Sequence, residues 1–374
     1  MYKDLLIFRH TPIDVDVKMF EYFASELWEG NVYVFAETSF KSERSLCGYK
    51  ESAKDISTII LDKSDVQIND DFFRNNKDSI FIFYGIPLAN SYQEMLKKYN
   101  LDFGVISERD NSLCESSLKT RIRKLMPMFT YYKNKYVCNH VKCFLAMGEK
   151  GVECFNRYFG IRKNVMFNFM YNDGNTAILP TYRKNDKIVR LVYVGRFDYH
   201  YKGLNTLLDA VENVEGEFIL DLFGGYGDDA DDVRERAALL EHVNCYNSIP
   251  QSELCDVLNK YDVIIVPSNQ DGWNLHCNIA VNAGIGAIAT DEAVSHEIVK
   301  KCGNGRVVKA HDSIELRRVI QEVIESPECI SEWKSNTIEY ANRISYKTVA
   351  EYLMSVLNYS FSNEITDRPH CPWL

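Results

Sequence analysis

The sequence predicts an α/β protein built on two doubly wound parallel sheets, and three observations carry that prediction. Short apolar runs alternate with longer segments of helical periodicity, the pattern of parallel strands joined by crossover helices. The alternation comes in two series, separated at residues 174–187 by GNTAILPTYRKNDK, a Gly- and Pro-containing stretch with no periodicity. The length, 374 residues, suits two domains of ordinary size. The expected domains are 1–174 and 188–344, facing a cleft. Residues 345–374 supply a C-terminal helix and tail that pack back on the first domain.

Each element follows from its local pattern. In the first series, apolar runs of four or five residues predict strands at Leu5–Arg9, Val32–Ala36, Ser57–Leu61, Ile80–Tyr84, Gly104–Ser107 and Cys143–Met147. Longer amphipathic segments predict helices at Val15–Leu27, Asn90–Lys98, Ser117–Lys135 and Glu149–Phe159. In the second series the strands are expected at Ile188–Val194, Glu217–Phe223, Val243–Tyr246, Val263–Pro267, Ala287–Thr290 and Gly305–Val308. Its helices are expected at Leu204–Glu212, Asp231–Leu240, Gln251–Lys260, Leu275–Ala283, Ser295–Lys301 and Ser313–Glu325, and the last helix at Ser345–Leu357.

Composition narrows the function. Hydrophobic residues make up 46% and charged residues 26%, as in a soluble globular protein with a large core. The net charge of −10 argues against general nucleic-acid binding, which needs phosphate neutralisation. The 11 cysteines are odd in number, scattered, and without a Cys-x-x-Cys pair, which points to free thiols in a reducing cytoplasm. Cys138, His140 and Cys143 lie close in sequence but lack a further ligand pair at metal-site spacing, so no metal is expected. The apolar run Leu5–Phe8 is too short for a signal segment or a membrane span.

Three motifs carry chemistry. In VGRFDYHYKGLNTLLDA, residues 194–210, Arg196 and Lys202 flank a strand-to-helix turn. A bidentate guanidinium, a point-charge ammonium and the free N–H groups of a helix start suit a diphosphate. The bland reading is a solvated basic turn beside Asp198. In VPSNQDGWNLHCNIAVNAGIGAIATD, residues 266–291, a strand ends in a polar turn that offers Ser268, Asp271, Gly272, Trp273 and Asn274 at the strand's carboxyl end, where ligands of parallel sheets bind. Here the bland reading makes Asp271 a helix cap. In DLFGGYGDD, residues 221–229, glycines after a strand, Gly225 among them, suggest a close backbone approach or a plain turn. The paired aspartates at 228–229 and 231–232 read as a solvated helix start.

The order and spacing of these motifs resemble the C-terminal half of the retaining GT-B glycosyltransferases of glycosyltransferase family 4. That family shows "VGR…KG", an "xGxG" turn, then "PS…E-G-x-x-x-x-x-x-E-A" and "G-x-P-V-V-A-T-D". Upstream, AMGEKGVECFNRYFGI (146–161) is similar to the family's "AVGEKGVEYYRKYGV", and RHTPIDVDVKMFEYFAS (9–25) to the "TPYRVPLFNALA" opening of one branch. The resemblance implies a GT-B fold and transfer of a sugar from a nucleotide-sugar donor, with retention of configuration and without a metal cofactor. The acceptor is a glycan or lipid-linked oligosaccharide, as in O-antigen or capsule assembly. It implies that Arg196 and Lys202 bind the donor diphosphate, and that Gly225, Ser248, Ser268, Gly272, Trp273 and Asn274 line the donor sugar and nucleotide. The loop 246–249 then meets the base, for which UDP is favoured.

The sequence departs from the family pattern at two places. The family's two glutamates, eight positions apart, fall on Asp271 and Ile279, so a carboxylate survives at the first and none at the second. The second normally meets the ribose, and Ile279 accepts no hydrogen bond. Gly286 replaces a proline. The departures leave two alternatives: a non-catalytic GT-B scaffold or partner protein, and a GT-B sugar epimerase.

In the first half, His10, after the first strand, and Glu108, after the strand GVIS, are candidate catalytic groups beside Asp271. Asp14 and Arg109 are candidate acceptor-side groups. His140 and His276 read as packing residues. From 116 to 148 the chain has no Asp or Glu but carries Lys119, Arg121, Arg123, Lys124, Lys133, Lys135 and Lys142 among apolar and aromatic residues. Such a segment suits peripheral contact with an anionic membrane, or a solvated helix face.

Overall fold

The computed structural model describes residues 4–10, 15–36, 59–62, 68–110, 127–182, 188–362 and 365–374. The described chain forms two compact units. One holds the described residues up to Gly174 together with Tyr346–Pro372, and the other Asn175–Ser345 with Trp373–Leu374.

The first unit is a seven-stranded parallel sheet of order β3-β2-β1-β4-β5-β6-β7. Its strands are β1 (Asp4–Arg9), β2 (Asn31–Ala36), β3 (Ile59–Asp62), β4 (Ile80–Tyr84), β5 (Phe103–Ser107), β6 (Cys143–Met147) and β7 (Met166–Phe169). Around it lie α1 (Val17–Tyr22), α2 (Asp70–Asn75), α3 (Ile86–Ser91), α4 (Gln93–Lys98), α5 (Pro127–His140) and α6 (Gly148–Phe159), with the long α14 (Tyr346–Phe361) returning from the end of the chain. Strands buried on both faces need continuous apolar runs, and LLIF, IFIFY and CFLAM supply them. Phe8 anchors the core, stacked on Phe35 at 4.9 Å and on Phe83 at 5.1 Å.

The second unit is a six-stranded parallel sheet of order β10-β9-β8-β11-β12-β13. Its strands are β8 (Val189–Val194), β9 (Phe218–Gly224), β10 (Val243–Asn247), β11 (Val263–Val266), β12 (Gly286–Thr290) and β13 (Gly305–Val308). Its helices are α7 (Leu204–Val211), α8 (Ala230–Ala238), α9 (Leu254–Leu258), α10 (His276–Asn282), α11 (His296–Cys302), α12 (Ser313–Glu325) and α13 (Glu328–Tyr340). Alternation sends Val263 and Ile265 into the core that contains Leu207 and Leu220. It sends Ile264 and Val266 into the opposite core, with Ile279 and Ala287.

Several helices differ from the sequence expectation. The segment 15–27 becomes α1 continued by a π-helical turn, Phe23–Leu27. The segment 90–98 breaks at Tyr92 into α3 and α4, and 251–260 opens as a short 3₁₀ turn before α9. Helix α5 runs on to His140, and the earlier part of that expectation, 117–126, lies outside the described residues. Strand β7 and helices α2 and α13 were not anticipated. Helix α2 is set by Asn69, whose side chain accepts the Phe72 N–H at 3.1 Å. Helix α13 is fixed by the buried Lys334, 2.8 Å from Asp262, and by Trp333. A Cβ on Gly286 would lie 2.6 Å from the Trp333 ring, and the Gly286 N–H donates to Asp262 O at 2.9 Å. Proline at 286 would lose that bond and meet the ring, which is the physical reason for glycine there.

Candidate functional site

In the second unit the strand order reverses between β8 and β11, and the crevice outside the carboxyl ends at such a reversal is where parallel sheets bind ligands. The loop 195–203 leaves β8 there, and the loop 267–275 leaves β11. The two are fastened backbone to backbone. Gly203 takes φ +65, and a Cβ on it would lie 2.1 Å from Pro267 O. A Cβ on Gly224 would lie 2.0 Å from Gly195 O, and one on Gly227, at φ +131, 2.3 Å from Phe197 O. The glycines of DLFGGYGDD therefore let neighbouring loops nest. Hydrogen bonds complete the fastening: Tyr201 N donates to Asp198 Oδ1 at 2.6 Å, Tyr199 N to Asp229 Oδ2 at 2.7 Å, and Asn269 N to Tyr201 O at 2.9 Å. Asp229 stands at the N-cap position of α8 and its side chain also ties this loop; Asp228, Asp231 and Asp232 are exposed around that helix start, as expected, and Asp232 accepts the Tyr199 hydroxyl at 2.5 Å.

On this frame the structure brings Lys202, Ser268, Asp271 and Asn274 into mutual contact. Lys202 Nζ lies 2.6 Å from Asp271 Oδ2. The same oxygen accepts Asn274 Nδ2 at 2.9 Å and the Ser268 hydroxyl at 3.4 Å. Burial alone would raise the Asp271 carboxyl. The adjacent Lys202 charge and the bonds from Lys202 and Asn274 outweigh it and hold the group below the ordinary carboxylate range. An ammonium carries three donors, so Lys202 keeps two for an anion while bound to Asp271. Arg196 sits one residue beyond Gly195, its side chain 44% exposed and 3.7 Å from Asp198 Oδ2. Together these groups can hold a polyanion and take up charge developing on a leaving diphosphate.

The remaining second-half residues sort by burial. Gly225, at φ +76, accepts an Arg234 guanidinium N–H, and Ser248 follows β10. Both stand at the carboxyl ends of the neighbouring strands. Trp273, like Ser268, is 1% exposed, and its indole N–H donates to Asn278 Oδ1 at 3.0 Å. Gly272 is likewise buried. Ile279 is 1% exposed in the apolar core. His276 does more than pack: its Nδ1 and its backbone N both lie 3.0 Å from Asn274 Oδ1.

In the first unit the order reverses between β1 and β4. His10 is exposed just past β1. Glu108 and Arg109 follow β5, and both line a cavity of about 820 Å³ with Thr130, Lys133 and Asn134. Glu108 also holds the Tyr171 hydroxyl, whose titration burial and that carboxylate push up. Arg109 is 7% exposed. Asp14 lies outside the described residues.

Sequence reasoning missed Asp16. It is fully buried at φ +68. Its carboxylate accepts the Asn172 N–H at 2.7 Å and the Tyr84 hydroxyl at 3.1 Å, with Arg9 near. Burial pushes its carboxyl up to about 6 against the pull of Arg9 and those bonds. The tie joins the start of α1 to the last residues before Gly174, and a partner 156 positions away leaves no local signal.

Of the basic segment, the structure describes 127–148. Met128 is 64% and Tyr132 60% exposed on α5, beside exposed Lys133 and Lys135, while Lys142 pairs with Asp102 at 3.6 Å. His140 stacks on Tyr136 at 4.3 Å. Among the described residues no His/Cys/Asp/Glu cluster suits a metal ion, and no helix is long and apolar enough to cross a membrane. The described cysteines are free thiols.

Comparison with known proteins agrees with this fold. Residues 176–343 match the family model "Glycosyl transferases group 1". Phosphatidyl-myo-inositol mannosyltransferase of Mycobacterium leprae is 22% identical over 169 residues. That match spans 44% of this chain and 45% of the mannosyltransferase. Among solved structures, the lipopolysaccharide outer core galactosyltransferase WaaB, in its apo form, aligns with 97% of this chain and 100% of its own at TM-score 0.69 and 14% identity. Sucrose-phosphate synthase from Thermosynechococcus elongatus aligns with 96% of this chain and 99% of its own at TM-score 0.72 and 13% identity. Anabaena HepE in complex with UDP and glucose aligns with 96% of this chain and 100% of its own at TM-score 0.69 and 12% identity. In fold the chain is a GT-B protein, and in sequence its second unit carries the group 1 glycosyltransferase pattern and resembles family 4.

Proposed function

We propose that the protein is a retaining, metal-independent hexosyltransferase that moves a sugar from a nucleotide-sugar donor to a glycan or lipid-linked acceptor, in the assembly of a surface polysaccharide such as O-antigen or capsule. One observation carries the reading: the group 1 match over 176–343 contains the fastened loops that hold Arg196, Lys202 and Asp271 at the carboxyl ends of β8 and β11. In this reading Arg196, Lys202 and the N–H groups at the start of α7 bind the diphosphate and stabilise it as it leaves. Asp271 holds Lys202 in place. Ser268, Asn274, Gly225 and Ser248 border the donor, and His10, Glu108 and Arg109 belong to the acceptor side. UDP is the favoured nucleotide, because UDP and UDP-glucose are the ligands of the HepE structures. The site of action is the cytoplasm, at the inner face of the membrane, where the exposed Met128, Tyr132, Lys133 and Lys135 meet anionic lipid.

The test is a thermal-shift screen against UDP-, GDP-, dTDP- and CMP-sugars, followed by transfer assays with the stabilising donor. Arg196→Ala and Lys202→Ala are expected to abolish transfer in a folded protein, and full activity in both overturns the assignment. A second reading, a non-catalytic GT-B partner protein, is favoured by the burial of Ile279 in the apolar core. Turnover of any donor ends it.

A further inference from the structure

The hydrogen bonds around Asn274 fix more than its own position. The Asp271 carboxylate has no proton to give, so the group facing it at 2.9 Å is Asn274 Nδ2. The amide's Oδ1 then faces the other way, where the backbone N and the Nδ1 of His276 both lie 3.0 Å from it. An amide oxygen only accepts, so Nδ1 of His276 carries the hydrogen and Nε2 keeps the lone pair. Flipping the amide would set Oδ1 against the carboxylate and Nδ2 against the His276 backbone N–H, and both of those bonds would be lost. Asn274 holds φ +74, a left-handed backbone that aims its short side chain at both partners.

We propose that His276, donating from Nδ1–H, is a positioning residue of the diphosphate site: through Asn274 it orients Asp271, and through Asp271 it places the Lys202 ammonium. The proposal rests on the reading of Lys202 as a diphosphate ligand. The electrostatics agree. Burial first, and the Lys202 charge second, lower His276 to about 4 against the pull of Asp271, so the ring stays neutral where the protein works. A protonated ring would set a second cation beside Lys202 and lose its acceptor nitrogen. The relay runs Lys202, Asp271, Asn274, His276, and its last member starts α10, so the ammonium is referenced to a helix rather than to a loop.

Two measurements test it. Side-chain ¹⁵N NMR is recorded from pH 5 to 8, with the His276 signals identified among the eight histidines by their loss in His276→Gln. The expected result is an Nδ1–H tautomer that does not titrate over this range. An Nε2–H tautomer, or titration near the ordinary histidine value, overturns the proposal. Calorimetric binding of UDP is then compared in the wild type, His276→Leu and His276→Gln. Leu removes the ring donor to Asn274 while the backbone N–H stays, and is expected to weaken binding about tenfold; Gln, whose side-chain amide N–H restores the second donor, is expected to recover part of the loss. Unchanged binding in Leu, or equal loss in both variants, overturns it. A wild type that shows the tautomer but binds no UDP overturns the diphosphate reading of Lys202, and the role of His276 in that site with it.

Discussion

The Lys202 ammonium lies 2.6 Å from Asp271 Oδ2 and so joins the loop leaving β8 to the loop leaving β11. Removing the charge of one partner strands the other. Asp271→Asn is expected to lower stability by about 1–3 kcal/mol, below the range for a fully buried pair because both groups keep some solvent. Lys202→Met in that background is expected to restore most of the stability and none of the donor binding. Urea denaturation of the two variants checks this. The folded Asp271 carboxyl titrates below its unfolded value, so its contribution is present above the unfolded value and is lost as pH falls through the folded one. The acid limb of the wild type is expected to be steeper than that of Asp271→Asn.

Asp16 has the opposite sign. Its folded carboxyl is raised to about 6 from 3.8, so between those values the native state holds a proton that the unfolded chain has released. Its contribution to stability therefore falls as pH rises from about 4 to 6. Asparagine tolerates the left-handed backbone at this position and can still accept the Asn172 N–H. Asp16→Asn is expected to raise Tm at pH 7.5 and to remove that slope. A lower Tm at pH 7.5 would show that the ionised carboxylate is worth more to the fold than its burial costs.

Gly203→Ala sets a methyl 2.1 Å from a main-chain oxygen at φ +65, so either the loop or β11 must move. A loss of about 2–4 kcal/mol is expected, with donor binding lost as the Lys202 loop shifts. Gly216→Ala, at φ +104 with the Ile324 methyl 2.8 Å away, lies apart from these loops. It is expected to cost stability but leave nucleotide affinity alone, and paired denaturation and binding curves separate the two effects.

Trp273→Phe removes the indole N–H that Asn278 Oδ1 accepts at 3.0 Å. The expected cost is about 1–3 kcal/mol of stability. Nucleotide affinity should change less than twofold, because the ring is buried. A large loss of affinity without a loss of stability would return Trp273 to the ligand surface.

The alternation of strand and helix was legible because each buried strand is an apolar run in its own right, as with Ile80–Tyr84 and Val263–Val266. Strand β7, only MFNF, is too short to carry a period, and the buried face of α13, at 330, 333, 334, 337 and 340, includes Lys334 and Thr337, which mask its helical period. The loops that bear Arg196, Lys202 and Asp271 were legible because chemistry and turn residues share one short stretch. The burial of Trp273 was not legible, since an aromatic in a polar turn reads as a ligand contact. Asp16 and His276 were illegible for another reason: the role of each is set by a hydrogen bond that sequence spacing does not announce.

The first unit is discontinuous along the chain, and this orders its synthesis. Helix α14 closes it late, with Tyr22 against Tyr346 at 6.0 Å and the Tyr22 hydroxyl donating to Glu351 at 3.3 Å. The continuous run Asn175–Ser345 is synthesised before that helix. The second sheet can thus be complete while the first still exposes the apolar ground that Val349, Leu353, Val356 and Leu357 will cover. A chain truncated between residues 345 and 361 would carry the whole second sheet but an open first unit, recognisable to a chaperone by its missing final helix.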